Sequence, residues 1–127
     1  MIKVLVDTSI WIDYFKGAQN SAGLDFLIDE NLIVTNDIIL AELLPHLTIK
    51  RNFKLISLLR EIEPLPIQIN WQEIIGFQVK CLENGINGIG LPDLIIAQNA
   101  NDNSCSVYSL DKHFRLLNQV MDVQIYE

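Results

Sequence analysis

A short apolar run that ends at an acidic residue is the feature that most constrains the fold of this chain. Residues 2–6 read IKVLV, a β-rich and almost wholly apolar run, and Asp7 follows it directly. A run of this kind is typical of a strand that is covered on both faces, as in a parallel sheet. Apolar residues then recur at helical spacing over residues 10–15. The sequence therefore predicts a strand followed at once by a helix, with Thr8 or Ser9 as the N-cap.

The same alternation of strand and helix patterns continues along the chain. Strand candidates lie at residues 2–6, 32–35, 104–110 and 123–126, and helical patterns at residues 10–15, 23–29, 38–44, 53–62, 71–83, 91–98 and 111–118. Asn36 or Asp37 can cap the third of these helices, and Pro45 is expected to end or kink it. Strands separated by helices imply βαβ units, so we predict an α/β fold with a mostly parallel central sheet and helices on both faces.

Length and composition narrow the possible classes of protein. The chain has 127 residues, of which 50% are hydrophobic, so we expect residues 1–127 to form a single domain with a substantial core. A net charge of −7 argues against a broad basic clamp for nucleic acid, although acidic residues that hold a metal would also make the count negative. Cys81 and Cys105 are predicted to be buried thiols in a reducing cytoplasm, and no run is long enough to suggest a membrane span.

Four acidic residues occupy positions where an α/β fold places functional groups. Ligands of such folds bind outside the carboxyl ends of the strands. The four candidates are Asp7, Glu42, Asp93 and Asp111. Carboxylates that converge at one edge repel one another unless they share a cation, and oxygen-rich sites suit Mg²⁺ or Mn²⁺. Such ions activate water and stabilise the oxygens of an in-line displacement at phosphorus.

Each acid also has an ordinary structural interpretation. Asp93 lies in the first turn of a predicted helix, where it would interact favourably with the helix dipole, and Asp111 could cap the helix that follows it. Asp7 could be a turn residue. Glu42 lies in an otherwise apolar helix, where a lone buried carboxylate would be costly unless it were paired or metal-bound.

Ordered fragments along the whole chain resemble the PIN-domain ribonuclease toxins of the VapC type. The opening DTSIWIDYF at residues 7–15 carries the resemblance, together with AELL at 41–44, LPDLIIA at 91–97 and SLDKHF at 109–114. The resemblance implies a three-layer α/β/α PIN-like domain with a metal-dependent endoribonuclease site. It also implies Mg²⁺ or Mn²⁺ as the cofactor, an RNA substrate, homodimers and inhibition by a small antitoxin that inserts a segment into the active-site groove.

The resemblance assigns roles residue by residue. The family's metal-binding acids correspond to Asp7, Glu42, Asp93 and Asp111, and its hydroxyl after the first acid corresponds to Thr8, which would orient Asp7 or a metal-bound water. The implied reaction is hydrolysis of an RNA phosphodiester by a metal-activated water, which leaves 5′-phosphate and 3′-hydroxyl ends. The chain departs from the family at Gln98 and Asn99, where small residues are usual, and it carries His113 at a tolerant position.

Basic and aromatic residues near these acids are weaker candidates. Lys112, His113 and Arg115 lie beside the fourth acid and are candidate RNA contacts. The aromatic residues at positions 11, 14 and 15 could stack bases, but their helical spacing favours core or interface packing, and Trp71 and Phe77 are also predicted to be core.

A second class of function stays open. A non-catalytic PIN-like RNA-binding or scaffold protein would have the same fold, although such a protein is expected to have lost some of the four acids. Haloacid-dehalogenase phosphatases also place an Asp after the first strand, but they need a second Asp two positions later, where this chain has Ser9.

Overall fold

Four parallel strands form the centre of the molecule. The computed structural model describes residues 2–17 and 19–127. The strands are β1 (Val4–Val6), β2 (Ile33–Thr35), β3 (Glu63–Pro64) and β4 (Ser106–Tyr108), and their order in the sheet is β3-β2-β1-β4. Every pairing between them is parallel, with Val4 opposite Ile33 on one side and Ser106 on the other. The predicted parallel sheet is confirmed.

Helices cover the sheet and complete a three-layer α/β/α arrangement, as predicted. The helices in the described residues are α1 (Thr8–Phe15), α2 (Leu24–Asp29), α3 (Asp37–Ile49), α4 (Phe53–Glu61), α5 (Trp71–Glu83), α6 (Leu91–Asp102) and α7 (Lys112–Leu117), with a short 3₁₀ turn at Gln19–Ser21. The central strand β1 is fully buried, and Ile10 and Trp11 of α1 pack into the same core. Burial on both faces explains why β1 is apolar throughout.

Side-chain caps fix where several helices begin. Asn36 accepts a hydrogen bond from the backbone of Ile39 at 3.0 Å, so the predicted cap of α3 is confirmed. Asp111 caps α7 by accepting from the backbone N–H of His113 at 2.9 Å. The N-cap of α1 is Asp7, so the prediction of Thr8 or Ser9 is wrong, because both residues lie inside the helix. These starts set the positions of the acidic residues.

Two prolines lie inside regular secondary structure, and Pro45 does not end α3 as predicted. Helix α3 continues through Pro45 to Ile49. Proline removes the hydrogen bond to the carbonyl of Ala41, but Ala41 is exposed, so water can satisfy that carbonyl. Glu63 and Pro64 pair with β2 as a strand at the edge of the sheet, which the sequence patterns did not predict. An edge strand tolerates a residue that lacks an N–H.

Two further predictions fail near the surface of the molecule. Residues 123–126 do not form a strand but contribute an isolated parallel bridge between Ile125 and Val107. Trp71 is not a core residue, since 53% of it is exposed, whereas Phe77 packs partly buried against the core. Both cysteines are buried free thiols, as predicted. No helix in residues 2–17 or 19–127 combines the length and the hydropathy that a bilayer span requires.

Candidate functional site

Three of the four predicted acids follow strands or begin helices on the carboxyl side of the sheet, and the fourth, Glu42, lies within a helix. Asp7 comes directly after β1, and its backbone N–H donates to the carbonyl of Tyr108 in the neighbouring strand β4. Asp111 lies three residues beyond β4, Asp93 is in the first turn of α6, and Glu42 is on α3. We call these four residues the acidic edge.

Two serine hydroxyls hold the carboxylate of Asp7. Asp7 is 7% exposed, and its Oδ2 accepts hydrogen bonds from Ser9 at 2.9 Å and from Ser109 at 2.8 Å. The same hydroxyls accept from the backbone of the segment that leads to the fourth acid: Leu110 N–H donates to Ser9, and Asp111 N–H donates to Ser109. This network ties the end of β1 to the loop after β4. Sequence reasoning missed Ser9, for which a hydroxyl at the second position after the acid was the available signal.

Thr8 contacts a different acid from the one expected. Its hydroxyl donates to Oε1 of Glu42 at 2.9 Å and not to Asp7, because α1 begins at Thr8 and directs this side chain toward α3. Glu42 is exposed, so the argument that its burial would require a partner is wrong. The neighbouring Leu43 and Leu47 turn the apolar side of α3 into the core and leave Glu42 on the surface.

Asp93 and Asp111 form a tight group with His113. One ligand atom from each of these three side chains lies within 4.8 Å of the other two. Nδ1 of His113 is 2.8 Å from Oδ2 of Asp93 and 3.5 Å from Oδ1 of Asp111. Within the described part of the chain, these three side chains are the one group of three or more His, Cys, Asp or Glu residues that could hold a metal ion. Asp7 and Glu42 lie outside this group.

Burial and negative charge both act on Asp93. Burial raises the pKa of its carboxyl group, and the carboxylates of Asp111 and Asp7 raise it further, while the hydrogen bond with His113 lowers it. A carboxylate oxygen of Asp111 lies within 4.8 Å of one of Asp93, so the two groups repel each other when both are ionised. A divalent cation would relieve this repulsion, so the donor set fits an oxygen-preferring metal.

The basic candidates differ in their surroundings. Lys112 is exposed, and the side chain of His113 is directed at the acids. Arg115 forms a surface ion pair with Glu127 at 2.7 Å. Of the three, Lys112 is the one whose charge is both exposed and beside the acidic edge.

An apolar groove begins beside Glu42. It encloses about 390 Å³ between α1, α3 and the start of α4. Its apolar wall is formed by Ile12, Phe15, Leu43, Leu47 and Leu55, and the charged residues Lys16 and Lys50 lie along it. The groove and the acidic edge therefore share one residue, Glu42.

Gln98 and Asn99, which depart from the family pattern, lie behind the acidic edge and not in it. Gln98 is 1% exposed and bonds both backbone groups of Asn70 as well as the carboxylate of Glu73. Asn99 is 3% exposed, accepts from Asn36 at 2.9 Å and donates to the carbonyl of Pro66 at 3.0 Å. Both amides are packing residues that join α6 to its neighbours.

Comparison with known proteins identifies the family and the fold of the chain. The PIN domain family matches residues 4–119. A similar solved structure is VapBC2 from Rickettsia felis bound to a DNA fragment from their promoter, with a TM-score of 0.76 and 19% identity over 99% of this chain and 98% of that chain. VapBC-1 from nontypeable Haemophilus influenzae has a TM-score of 0.73 and 22% identity, covering 100% and 98%. FitAcB from Neisseria gonorrhoeae has a TM-score of 0.71 and 21% identity, covering 98% and 96%. A search of curated proteins found no match.

Proposed function

The chain belongs to the PIN-domain family, as its sequence motifs predicted, and from that premise we propose that it is a VapC-type toxin, a metal-dependent endoribonuclease. The observation that carries the proposal is the close grouping of Asp93 and Asp111 beside Asp7 at the carboxyl edge of the sheet. The solved VapBC complexes of the same fold support the assignment as a toxin. We propose that residues 1–127 act as a single domain in the cytoplasm.

We propose Mg²⁺ or Mn²⁺ as the cofactor, held by the carboxylates of the acidic edge. Asp93 and Asp111 are the central ligands, Asp7 is a third, and Glu42 completes the set, directly or through water. A bound divalent cation would supply an activated water and would neutralise charge on the phosphodiester. Hydrolysis would form a bond from the water oxygen to phosphorus and break the bond from phosphorus to the 3′ oxygen. The water would lose a proton and the 3′ oxygen would gain one, which would leave 5′-phosphate and 3′-hydroxyl ends.

The chain's own residues position these groups. Ser9 and Ser109 hold the Asp7 carboxylate, and Thr8 holds Glu42, so three hydroxyls orient two of the acids. Because the chain carries a net charge of −7, an RNA backbone needs a local attraction, and exposed Lys112 beside Asp111 provides one.

Cleavage of labelled single-stranded RNA tests the proposal. We expect Asp7→Asn to lower the cleavage rate by about a hundredfold or more, since loss of a metal ligand costs at least as much as loss of a group that supports one. The matched control is Asp122→Asn, an exposed acid outside the acidic edge that should cleave like the parent chain. Chelation should abolish cleavage, and added Mg²⁺ or Mn²⁺ should restore it.

Two results would contradict the proposal that the chain is a nuclease. Undiminished cleavage by the Asp7→Asn variant would remove Asp7 from the reaction. RNA binding without cleavage by the parent chain, with either ion present, would instead favour the alternative of a non-catalytic RNA-binding or scaffold protein.

We propose that the apolar groove beside Glu42 receives a segment of the antitoxin. The groove is apolar along its wall and ends at an acid of the site, so an apolar segment lying in it would also cover the acidic edge. Leu55→Asp should weaken binding of a co-expressed antitoxin, whereas Phe26→Asp, at an exposed apolar site on α2 outside the groove, should not affect it.

We propose a homodimer formed through the outer face of α5. Four large apolar side chains, spaced as one helical stripe, are exposed on it: Trp71 at 53%, Ile75 at 55%, Val79 at 48% and Leu82 at 63%. The stripe carries no charge, so two copies can meet about a two-fold axis without burying like charges. Ile75→Asp should yield a monomer by light scattering, while Ile49→Asp, at an apolar site on α3 that is 82% exposed, should leave the mass unchanged.

A further inference from the structure

The side chain of a histidine, His113, lies among the acids, although a site that bound only Mg²⁺ would need only oxygen ligands. Nδ1 of His113 is 2.8 Å from Oδ2 of Asp93, and the imidazole is 29% exposed. The position was expected to tolerate variation and at most to contact RNA, but its side chain is directed into the acidic group. The start of α7 fixes this placement, because the backbone N–H of His113 donates to Oδ1 of Asp111.

The spacing of these atoms is that of ligands on one ion. Adjacent ligands of an octahedral ion with bonds of about 2.1 Å lie about 3 Å apart. The separations of Nδ1 from the two aspartates, 2.8 Å and 3.5 Å, lie on either side of that value. No large movement of His113 is therefore needed for it to share an ion with Asp93 and Asp111.

We propose that His113 is a nitrogen ligand of the metal site and makes the site select Mn²⁺ over Mg²⁺. Imidazole nitrogen suits first-row transition metals, whereas Mg²⁺ binds oxygen and keeps much of its water. Nitrogen from His113 with oxygen from Asp93 and Asp111 forms a mixed donor set that favours Mn²⁺. The inference rests on the metal site of the proposed function but does not require that the chain cleaves RNA.

Pulsed electron paramagnetic resonance of bound Mn²⁺ tests the ligand directly, because a coordinated imidazole couples its nitrogen nucleus to the electron spin. The chain has two histidines, so a variant of the second one, His46, is the control for every other source of imidazole nitrogen in the chain. We expect nitrogen modulation in the parent chain and in His46→Ala, and its loss in His113→Ala. Modulation that persists in His113→Ala, or that is absent from the Mn²⁺-loaded parent chain, overturns the inference.

Calorimetric titration with Mn²⁺ and with Mg²⁺ tests the selectivity. We expect the parent chain to bind Mn²⁺ about tenfold more tightly than Mg²⁺, and His113→Ala to lose about tenfold in Mn²⁺ affinity with little change for Mg²⁺. His113→Gln replaces nitrogen by an amide oxygen and should move the preference toward Mg²⁺. It also serves as the second variant if His113→Ala does not fold by circular dichroism.

The outcomes separate this inference from the function on which it rests. Equal affinities for the two ions, unchanged in both variants, overturn the role of His113 and leave an all-carboxylate site intact. Absence of binding by either ion overturns the metal site itself, and the inference with it.

Discussion

Two groups of polar side chains lie next to each other in this molecule and have opposite surroundings. Three of the four carboxylates of the acidic edge, those of Glu42, Asp93 and Asp111, are at least partly exposed, and nearby negative charge contributes to the raised pKa of Asp93. The amide cluster, which we define as Asn36, Gln98 and Asn99, is almost fully buried, and every member has hydrogen-bond partners. The first group retains the capacity to bind something, whereas the second uses its polar atoms within the fold.

The amide cluster also connects the elements that carry the acids. Asn36 caps α3, which carries Glu42, and its amide donates to Asn99 on α6, which carries Asp93. Gln98 joins the same helix to the start of α5. The amide cluster therefore holds the acidic edge in place, and substitutions in the two groups should affect different properties.

The largest effect expected is on activity at the acidic edge. Asp93→Asn should reduce RNA cleavage by about a hundredfold or more, because it removes a central carboxylate ligand. The same change should leave the metal-free protein as stable as the parent chain or more so, since it removes charge repulsion from Asp7 and Asp111. Cleavage assays and urea unfolding on one preparation measure both properties. A large loss of stability would mean that the acidic edge is structural.

A smaller effect, on stability, is expected at the amide cluster. Asn99→Ala leaves the amide of Asn36 and the carbonyl of Pro66 without their partner, and we expect the free energy of unfolding to fall by about 1–3 kcal/mol. Asn101→Ala, two residues along the same helix and only partly buried, is the matched control and should change little. Cleavage per folded molecule should remain near that of the parent chain. An unchanged unfolding curve would contradict the role given to the cluster.

The contrast between the two groups explains what the sequence could predict. Strand and helix patterns predicted the parallel sheet, and the acids after β1 and β4 followed from it, because parallel strands end at one edge. The pattern of strands and helices does not predict whether a polar residue is buried or which groups it bonds. Glu42 was expected to be buried and is exposed, whereas Gln98 and Asn99 gave no sign of their partners at residues 36, 66 and 70. Pairings such as Ser9 with Asp7 and Thr8 with Glu42 depend on the angle at which α1 leaves the sheet.

A titration effect should distinguish Asp93 from acids elsewhere. Its folded-state pKa is raised above the ordinary 3.8, so its contribution to stability is complete below that pH and is lost as the pH rises through the raised value. The metal-free parent chain should therefore lose more stability than Asp93→Asn between about pH 3.5 and pH 7. Thermal unfolding of the two proteins across this pH range measures the difference in their loss of stability. Added Mn²⁺ should abolish that difference, because it binds the ionised form of Asp93. Parallel curves without metal would show that Asp93 is not perturbed.

The smallest effect is expected at a third kind of polar contact, an ion pair in water. Arg115 and Glu127 approach to 2.7 Å, but their side chains are 60% and 70% exposed. Pairs of this kind contribute about 1 kcal/mol or less, so Arg115→Gln should hardly move the unfolding curve. Its charge is already paired, so the variant should also weaken RNA binding less than Lys112→Gln, as fluorescence anisotropy at low salt would measure. If Arg115→Gln weakened RNA binding more than Lys112→Gln, the ion pair with Glu127 would have to open on contact with RNA. The pair would then resemble the acidic edge, which can bind a ligand, and not the amide cluster, whose polar atoms are used within the fold.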